Sequence, residues 1–317
     1  MLKRILRFYK NWALPTSMLM GVVLYFVYTS LPFLRGTSHI ANKLIGILQP
    51  TLIFCMLFIT FCKIKPSDLK PCRWHATLLL VQVIAFALCA AVLILFPNLP
   101  GRLLIESAMT CFICPTACAA AVVCAKLGGH AAHLITYILL INLAAAVFIP
   151  LIVPLVNPQE GQTFVTTSVL IIRQVFPTLI CPLLLAWGIR FASPRLAQRL
   201  QNTGDTAFYL WTVALTMAIA VTTRSIMHSH VAVPTLIGIA VVTLASCWAQ
   251  FAIGRRIGAP ANDAIAASQA IGQKNTVFAI WMAYTFLTPI TAIAGGFYSV
   301  WHNIFNSYQL YQKRKGQ

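Results

Sequence analysis

Acidic residues are nearly missing from this chain. Five Asp and Glu stand against 23 Lys and Arg in 317 residues, and charged residues of both signs make up only 9%. Soluble domains carry about 25% charged residues, so a fully water-facing globular surface is excluded. Chemistry built on paired carboxylates is excluded with it, and hard cations are left short of their best oxygen ligands. The catalytic signatures H-E-x-x-H, G-x-S-x-G and paired aspartates do not occur, so no enzyme is expected. The opening stretch MLKRILRFYKNWALPTSMLM lacks a small-residue cleavage site, so no cleavable signal peptide is expected. Cysteine is present ten times but without a disulfide pattern. Cys55, Cys89, Cys181 and Cys247 lie inside apolar stretches, where a thiol behaves as a small hydrophobe. Cys111, Cys114 and Cys118 share roughly one helical face, yet no neighbouring histidine or carboxylate completes a metal site there, and small-residue packing is the expected role.

What is present in excess is apolar. Hydrophobic residues make up 59% of the chain and the mean hydropathy is +0.82. Ten apolar stretches can be marked, at about 12–33, 39–62, 75–96, 103–127, 131–156, 165–190, 205–226, 231–254, 264–286 and 288–311. Each reaches the roughly 20 residues that a helix needs to cross a bilayer. The expected fold is an all-α membrane protein with ten transmembrane helices. The net charge of +18 does not point to nucleic acid, because the basic residues lie in short loops rather than on one polar face. With the N-terminus inside, seventeen basic residues fall on the cytoplasmic side, among them Lys3, Lys63, Lys126, Arg190, Arg255 and Lys313. Four fall outside, Arg35, Lys43, Arg102 and Arg224, while Arg173 and Lys274 lie within spans. That asymmetry places both termini in the cytoplasm of a cell (inner) membrane protein. The sequence carries no sign of oligomeric state.

Ten spans divide into 1–160 and 161–317, five each. An odd number per half inserts the second half upside down, the inverted-repeat arrangement of many secondary transporters, whose sites are built from interrupted helices. The fourth span carries Pro115 and Thr116 in its middle, and the ninth carries Gly272-Gln273-Lys274-Asn275-Thr276. Proline removes a backbone donor and glycine weakens a helix, so both spans are expected to break and to cross.

At these residues the chain resembles the bile acid:sodium symporter family. Ile64-Lys65-Pro66-Ser67-Asp68-Leu69 resembles the family's L-K-P-S-D-F after the second span, and Cys114-Pro115 its C-P-G-G-T-A-S-N crossover. Gly272-Gln273-Lys274-Asn275-Thr276 resembles E-x-G-M-Q-N-S, and Phe297-Tyr298-Ser299-Val300-Trp301-His302-Asn303-Ile304 resembles F-S-V-W-H-N-I. The resemblance implies a panel domain of spans 1, 2, 6 and 7 and a core domain of spans 3–5 and 8–10. Rocking of one against the other would carry organic anions, usually with two sodium ions.

Three departures bear on the ion. Ala120-Ala121 replaces Ser-Asn, Ala270 replaces the shared carboxylate, and Lys274 replaces a glutamine. Gln82 and Asn275 match a sodium-site glutamine and the crossover asparagine of the family. The expectation is therefore an organic-anion transporter without resident cofactor or metal, whose sodium ligands are lost. Lys274 stands in as a built-in cation that donates to Gln82 and to freed backbone carbonyls and exchanges a proton during the cycle. An uncoupled facilitator or channel is the alternative. Lys274, Gln82 and Gln273 are the expected ion-coupling residues; Thr116, Cys118, Asn275, Thr276, His302 and Asn303 are the expected substrate contacts, with His302 and Asn303 alternatively serving as glue between helices. Cys118 stands where the family has its crossover threonine. His130 and His133 are expected at an interface, and Arg173 either at the cavity or at a headgroup.

Overall fold

The structure, a computed structural model, describes residues 2–158, 161–203, 206–229 and 231–315, the side chains of 2–14, 34, 35 and 68 excepted. Glu160 and Asp205 lie outside the described residues, as does the side chain of Asp68. The described chain is all helical: α1 (Leu2–Ser30), α2 (Ser38–Cys62), α3 (Arg73–Leu95), α4 (Arg102–Ile113), α5 (Ala120–Leu127), α6 (Ala131–Val156) and α7 (Phe164–Leu179), followed by α8 (Cys181–Ala192), α9 (Pro194–Gln201), α10 (Thr206–Met227), α11 (Val233–Gly258), α12 (Ala264–Gly272), α13 (Thr276–Phe286) and α14 (Ala292–Lys315). With no water to satisfy backbone groups in hydrocarbon, helices are what so apolar a chain must form.

Five helices, α2, α3, α6, α10 and α11, are long and apolar enough to cross a membrane, and the pair α7–α8, bent by 42°, makes a sixth. The bend has a cause. Pro182 has no N–H to give the carbonyl of Thr178, so the ladder opens at Ile180. The connection expected as a loop after residue 190 instead holds the short helix α9, whose only buried residue is Ala197.

The molecule is apolar on both sides of its helices. On α3, Leu78, Gln82, Phe86 and Ala90 are buried, while Leu80, Ile84 and Leu88 stand 60%, 52% and 62% exposed on the opposite face. Soluble monomers rarely expose apolar faces of this size, so the exposed stripes are surfaces for lipid and the polar side chains are turned inward. Packing sorts the helices into two sets. In one, α1 lies on α10, and α2 on α7, α8 and α10; in the other, α11 lies against α12, α14 and α4, with α3, α6, α5 and α13 around them. The sets meet chiefly where α6 touches α7, where α13 touches α2 and α10, and where α14 touches α10.

Candidate functional site

Pro115 has no N–H, and helix α4 stops at Ile113 just before it. On the other side, α12 ends at Gly272, which nests under the Phe251 ring; a Cβ there would come within 2.5 Å of the ring carbon Cγ. The two interruptions meet. Thr116 and Lys274 pair as an antiparallel bridge, with the Ala117 N–H donating to the Gln273 carbonyl at 2.9 Å and the Asn275 N–H to the Pro115 carbonyl at 2.8 Å. Two broken helices thereby exchange the backbone bonds that neither can make alone.

The remaining freed carbonyls are taken by side chains. The carbonyl of Phe112, which would normally serve Thr116, accepts from Lys274 Nζ at 3.3 Å. That of Cys114 accepts from Gln82 Nε2 at 3.2 Å, while Gln82 Oε1 takes the Tyr137 hydroxyl at 2.9 Å. The Ala270 carbonyl, left without Lys274 N–H, accepts from the Thr116 hydroxyl. The Gly272 carbonyl accepts from the Tyr298 hydroxyl at 2.8 Å, which in turn accepts from Gln250 Nε2 at 3.2 Å. Cys114 Sγ donates to the Asn275 carbonyl at 3.0 Å. The Asn275 side chain caps α13 by accepting from the Phe278 N–H at 3.3 Å, directly after the break.

Lys274 is 2% exposed. The bond to Phe112 is the only hydrogen bond of its ammonium among the described residues, although that group has three donors. The titratable groups that act on it are the thiols of Cys114, Cys111 and Cys247, with no carboxylate among them.

The expected site residues divide on this geometry. Thr116, Gln273, Lys274, Asn275 and Thr276 are buried together at the crossing, and Gln273 keeps a buried Oε1 without a partner among the described residues. Gln82 reaches the crossing, but by way of Cys114; the expected bond from Lys274 to Gln82 is replaced by two parallel bonds to carbonyls of the same opened turn. Cys118 is half-buried and shares a hydrogen bond with Thr60 of α2. Asn303 donates to Ser299 of its own helix at 2.7 Å, so its described bond is spent within α14. His302 is buried edge-on against Tyr298, ring centroids 5.8 Å apart, with Nδ1 unpartnered among the described residues. Tyr298, Gln250 and Tyr137 were missed at the sequence level. Tyr298 lies inside the stretch Phe297–Ile304, where attention fell on the histidine and asparagine instead.

Two further features lie away from the crossing. A cleft of about 180 Å³ opens between α6, α7 and the end of α13, lined by Asn157, Gln162, Thr167, Gln174, Thr285 and apolar neighbours. Arg173, exposed on α7, is not among its lining residues. At the opposite ends of α3 and α6, Asp263 is buried beside Trp74, His130 and His133. Burial works against its charged form, but donors from His130, Trp74 and His133 outweigh that and hold the carboxyl below its usual range. Glu106 is 4% exposed and paired with Arg102 at 2.8 Å and Thr291 at 2.7 Å. Arg102 also ties the carbonyls of Leu93 and Val156, at 3.2 and 2.6 Å.

Set against known proteins, the chain matches no family model, and no curated protein matches it in sequence.

Proposed function

We propose that this chain is a secondary transporter of small organic anions, of the bile acid:sodium symporter type, working by alternating access across ten spans. In this reading α1, α2, α3, α4–α5 and α6 form the first five-helix repeat, and α7–α8, α10, α11, α12–α13 and α14 its inverted counterpart. The set α1, α2, α7, α8 and α10 is the panel, with α9 packed against its α2 and α8, and α3–α6 with α11–α14 are the core. The packing of the helices into those two sets supports the division, and the cleft between α6, α7 and α13 lies on their boundary. With both termini cytoplasmic, this cleft faces outward.

The observation that carries the reading is the buried Lys274 ammonium between two helix breaks, facing carbonyl and thiol groups but no carboxylate. A charge at such depth costs about 2.5–3.5 kcal/mol on insertion scales, and an anionic substrate supplies the missing counter-charge. The N-terminus of α13, beginning right after Asn275, adds its own positive end.

Sodium fits poorly here. Ala120 and Ala270 offer no side-chain oxygen, and the carbonyls of Phe112, Cys114, Ala270 and Gly272 are already engaged by protein donors. Lys274 therefore occupies the role of the coupling cation, and a proton on its amine replaces sodium in the cycle. The backbone of the two breaks is paired across the crossing, which favours a carrier over a channel.

The test begins with a thermal-shift screen of organic acids on the purified protein, followed by uptake of the stabilising acid into proteoliposomes. Uptake is expected to persist without sodium in the wild type and to fall at least tenfold in Lys274→Gln, which keeps a donor for Phe112 but loses the charge. Strict dependence on sodium in the wild type would end this reading.

A further inference from the structure

Three segments far apart in sequence bring metal-ligating side chains together at one end of the molecule. Cys72 precedes α3, His133 lies in the first turn of α6, and Asp263 precedes α12. One ligand atom from each, the thiol sulfur, an imidazole nitrogen and a carboxylate oxygen, lie within 4.8 Å of one another. We infer that Cys72, His133 and Asp263 form a binding site for a divalent transition metal, with zinc as its natural size and softness. This inference stands apart from the transport reading, since no residue of the crossing takes part.

A thiolate, an imidazole and a carboxylate are the ligand types zinc accepts, at about 2.3, 2.0–2.1 and 2.0–2.2 Å. Tetrahedral geometry at those bond lengths places neighbouring ligand atoms roughly 3.3–3.6 Å apart. The observed spread closes to that by small side-chain rotations, because the His133 Nδ1 already bonds Asp263 Oδ2 and the Cys72 thiol is only loosely held by the Lys70 carbonyl at 3.6 Å. On binding, the thiol proton leaves to solvent and the imidazole binds as a neutral ligand, its single proton carried on the other ring nitrogen, so that the thiolate and the carboxylate together neutralise the divalent charge.

The surroundings are those of a supported site. Trp74 Nε1 donates to Asp263 Oδ2 at 2.9 Å and aims the carboxylate, as outer groups do around metal ligands. The Cys72 N–H donates to His75 Nδ1 at 3.0 Å, fixing the backbone that carries the thiol. His130, with its side chain 60% exposed and Nδ1 2.8 Å from Asp263 Oδ1, covers the solvent side. It offers the fourth position, or the way in. The alternative is a purely structural latch in which the carboxylate simply pairs two histidines. A latch explains Asp263, His130 and His133, but gives no reason for a cysteine to complete the group. The spacing also differs from the cysteine-only set Cys111, Cys114 and Cys118, which has no such partners.

The experiment uses the full chain purified in detergent, stripped with a chelator and desalted. Zinc chloride is then added, metal content is measured after gel filtration, and cobalt chloride is used in parallel as a spectroscopic probe. The expected result is one equivalent of zinc per chain, a near-ultraviolet thiolate-to-cobalt band, and a higher unfolding temperature with zinc than without. Cys72→Ser keeps a side chain able to cap α3, so it is expected to melt like the wild type without metal, to lack the thiolate band, and to bind zinc roughly tenfold or more weaker. His133→Ala should weaken zinc binding as well. Wild-type protein that retains no zinc, or variants that bind it as the wild type does, would overturn the assignment.

Discussion

At the scale of single residues, the crossing is held by side chains that answer particular carbonyls. Tyr298 is the most exposed to test. Its hydroxyl donates to Gly272 and accepts from Gln250, both buried; Gln250 keeps the Ser246 and Cys111 carbonyls as acceptors, so Tyr298→Phe leaves the Gly272 carbonyl unanswered while keeping the ring. A buried unsatisfied group costs about 1–3 kcal/mol, so the variant should unfold at a clearly lower temperature in detergent. An unchanged melting curve would mean that the hydroxyl is dispensable. Lys274, Pro115 and Gly272 were legible from sequence because a charge, a proline and a glycine are each conspicuous in an apolar stretch. Tyr298, Gln250 and Tyr137 were not. Each answers a group 26 or more residues away, and a single polar atom on a mostly apolar helix leaves no periodic trace. Asn303 is the complementary case: an amide in a membrane helix can donate to its own backbone four residues back.

At the scale of elements, the close approach of α11 and α12 rests on glycines. A Cβ on Gly254 would strike the Ala267 carbonyl and come within 2.7 Å of Ile271 Cγ2, and one on Gly258 would meet Ala267 Cβ at 2.5 Å. These two glycines stand four apart, the small-residue spacing that lets membrane helices touch. Gly254→Val should therefore destabilise by about 1–3 kcal/mol, as overpacking does. Gly188 on α8 has nothing within 4 Å of its would-be Cβ. Gly188→Ala should be neutral or stabilising by up to about 1 kcal/mol, because alanine is the better helix former. Chemical unfolding of the two variants side by side checks the contrast, and equal effects would contradict it. The interruptions at residue 115 and after 272 could be placed in advance because their causes are local. The bend between α7 and α8 has an equally local cause in Pro182, yet it hid inside a stretch continuous in hydropathy, as α9 hid in a stretch too polar to mark as a span.

At the scale of the whole molecule, the chain is apolar outward and polar inward, and its basic residues are expected mostly at the cytoplasmic set of helix ends. The latter half of that statement is a topology prediction. Alkaline phosphatase, active only outside the cytoplasm, should be active when fused after Gly161 and inactive when fused after Thr203; the reverse pattern would invert the assignment. The all-helical, membrane-embedded character was legible from composition alone, since so few charges and so many long apolar stretches admit little else. How the stretches pair across the molecule was not, because most core-facing residues are as apolar as the lipid-facing ones and a lone inward polar residue does not name its partner helix, so only contact sorts them. That sorting leads to the prediction most sensitive to mechanism. If the two sets of helices rock about a crossing whose freed carbonyls at Phe112, Cys114, Ala270 and Gly272 are held by protein donors, the site opens to one side at a time and no open pore forms at any stage. Labelled substrate entering vesicles should then be accelerated by unlabelled substrate loaded inside, because a loaded carrier returns faster than an empty one. A pore would show no such exchange and would only dissipate the gradient. Filling the cleft between α6, α7 and α13 with Gln174→Trp should slow both net uptake and exchange several-fold while leaving the unfolding temperature unchanged, since Gln174 is exposed on α7.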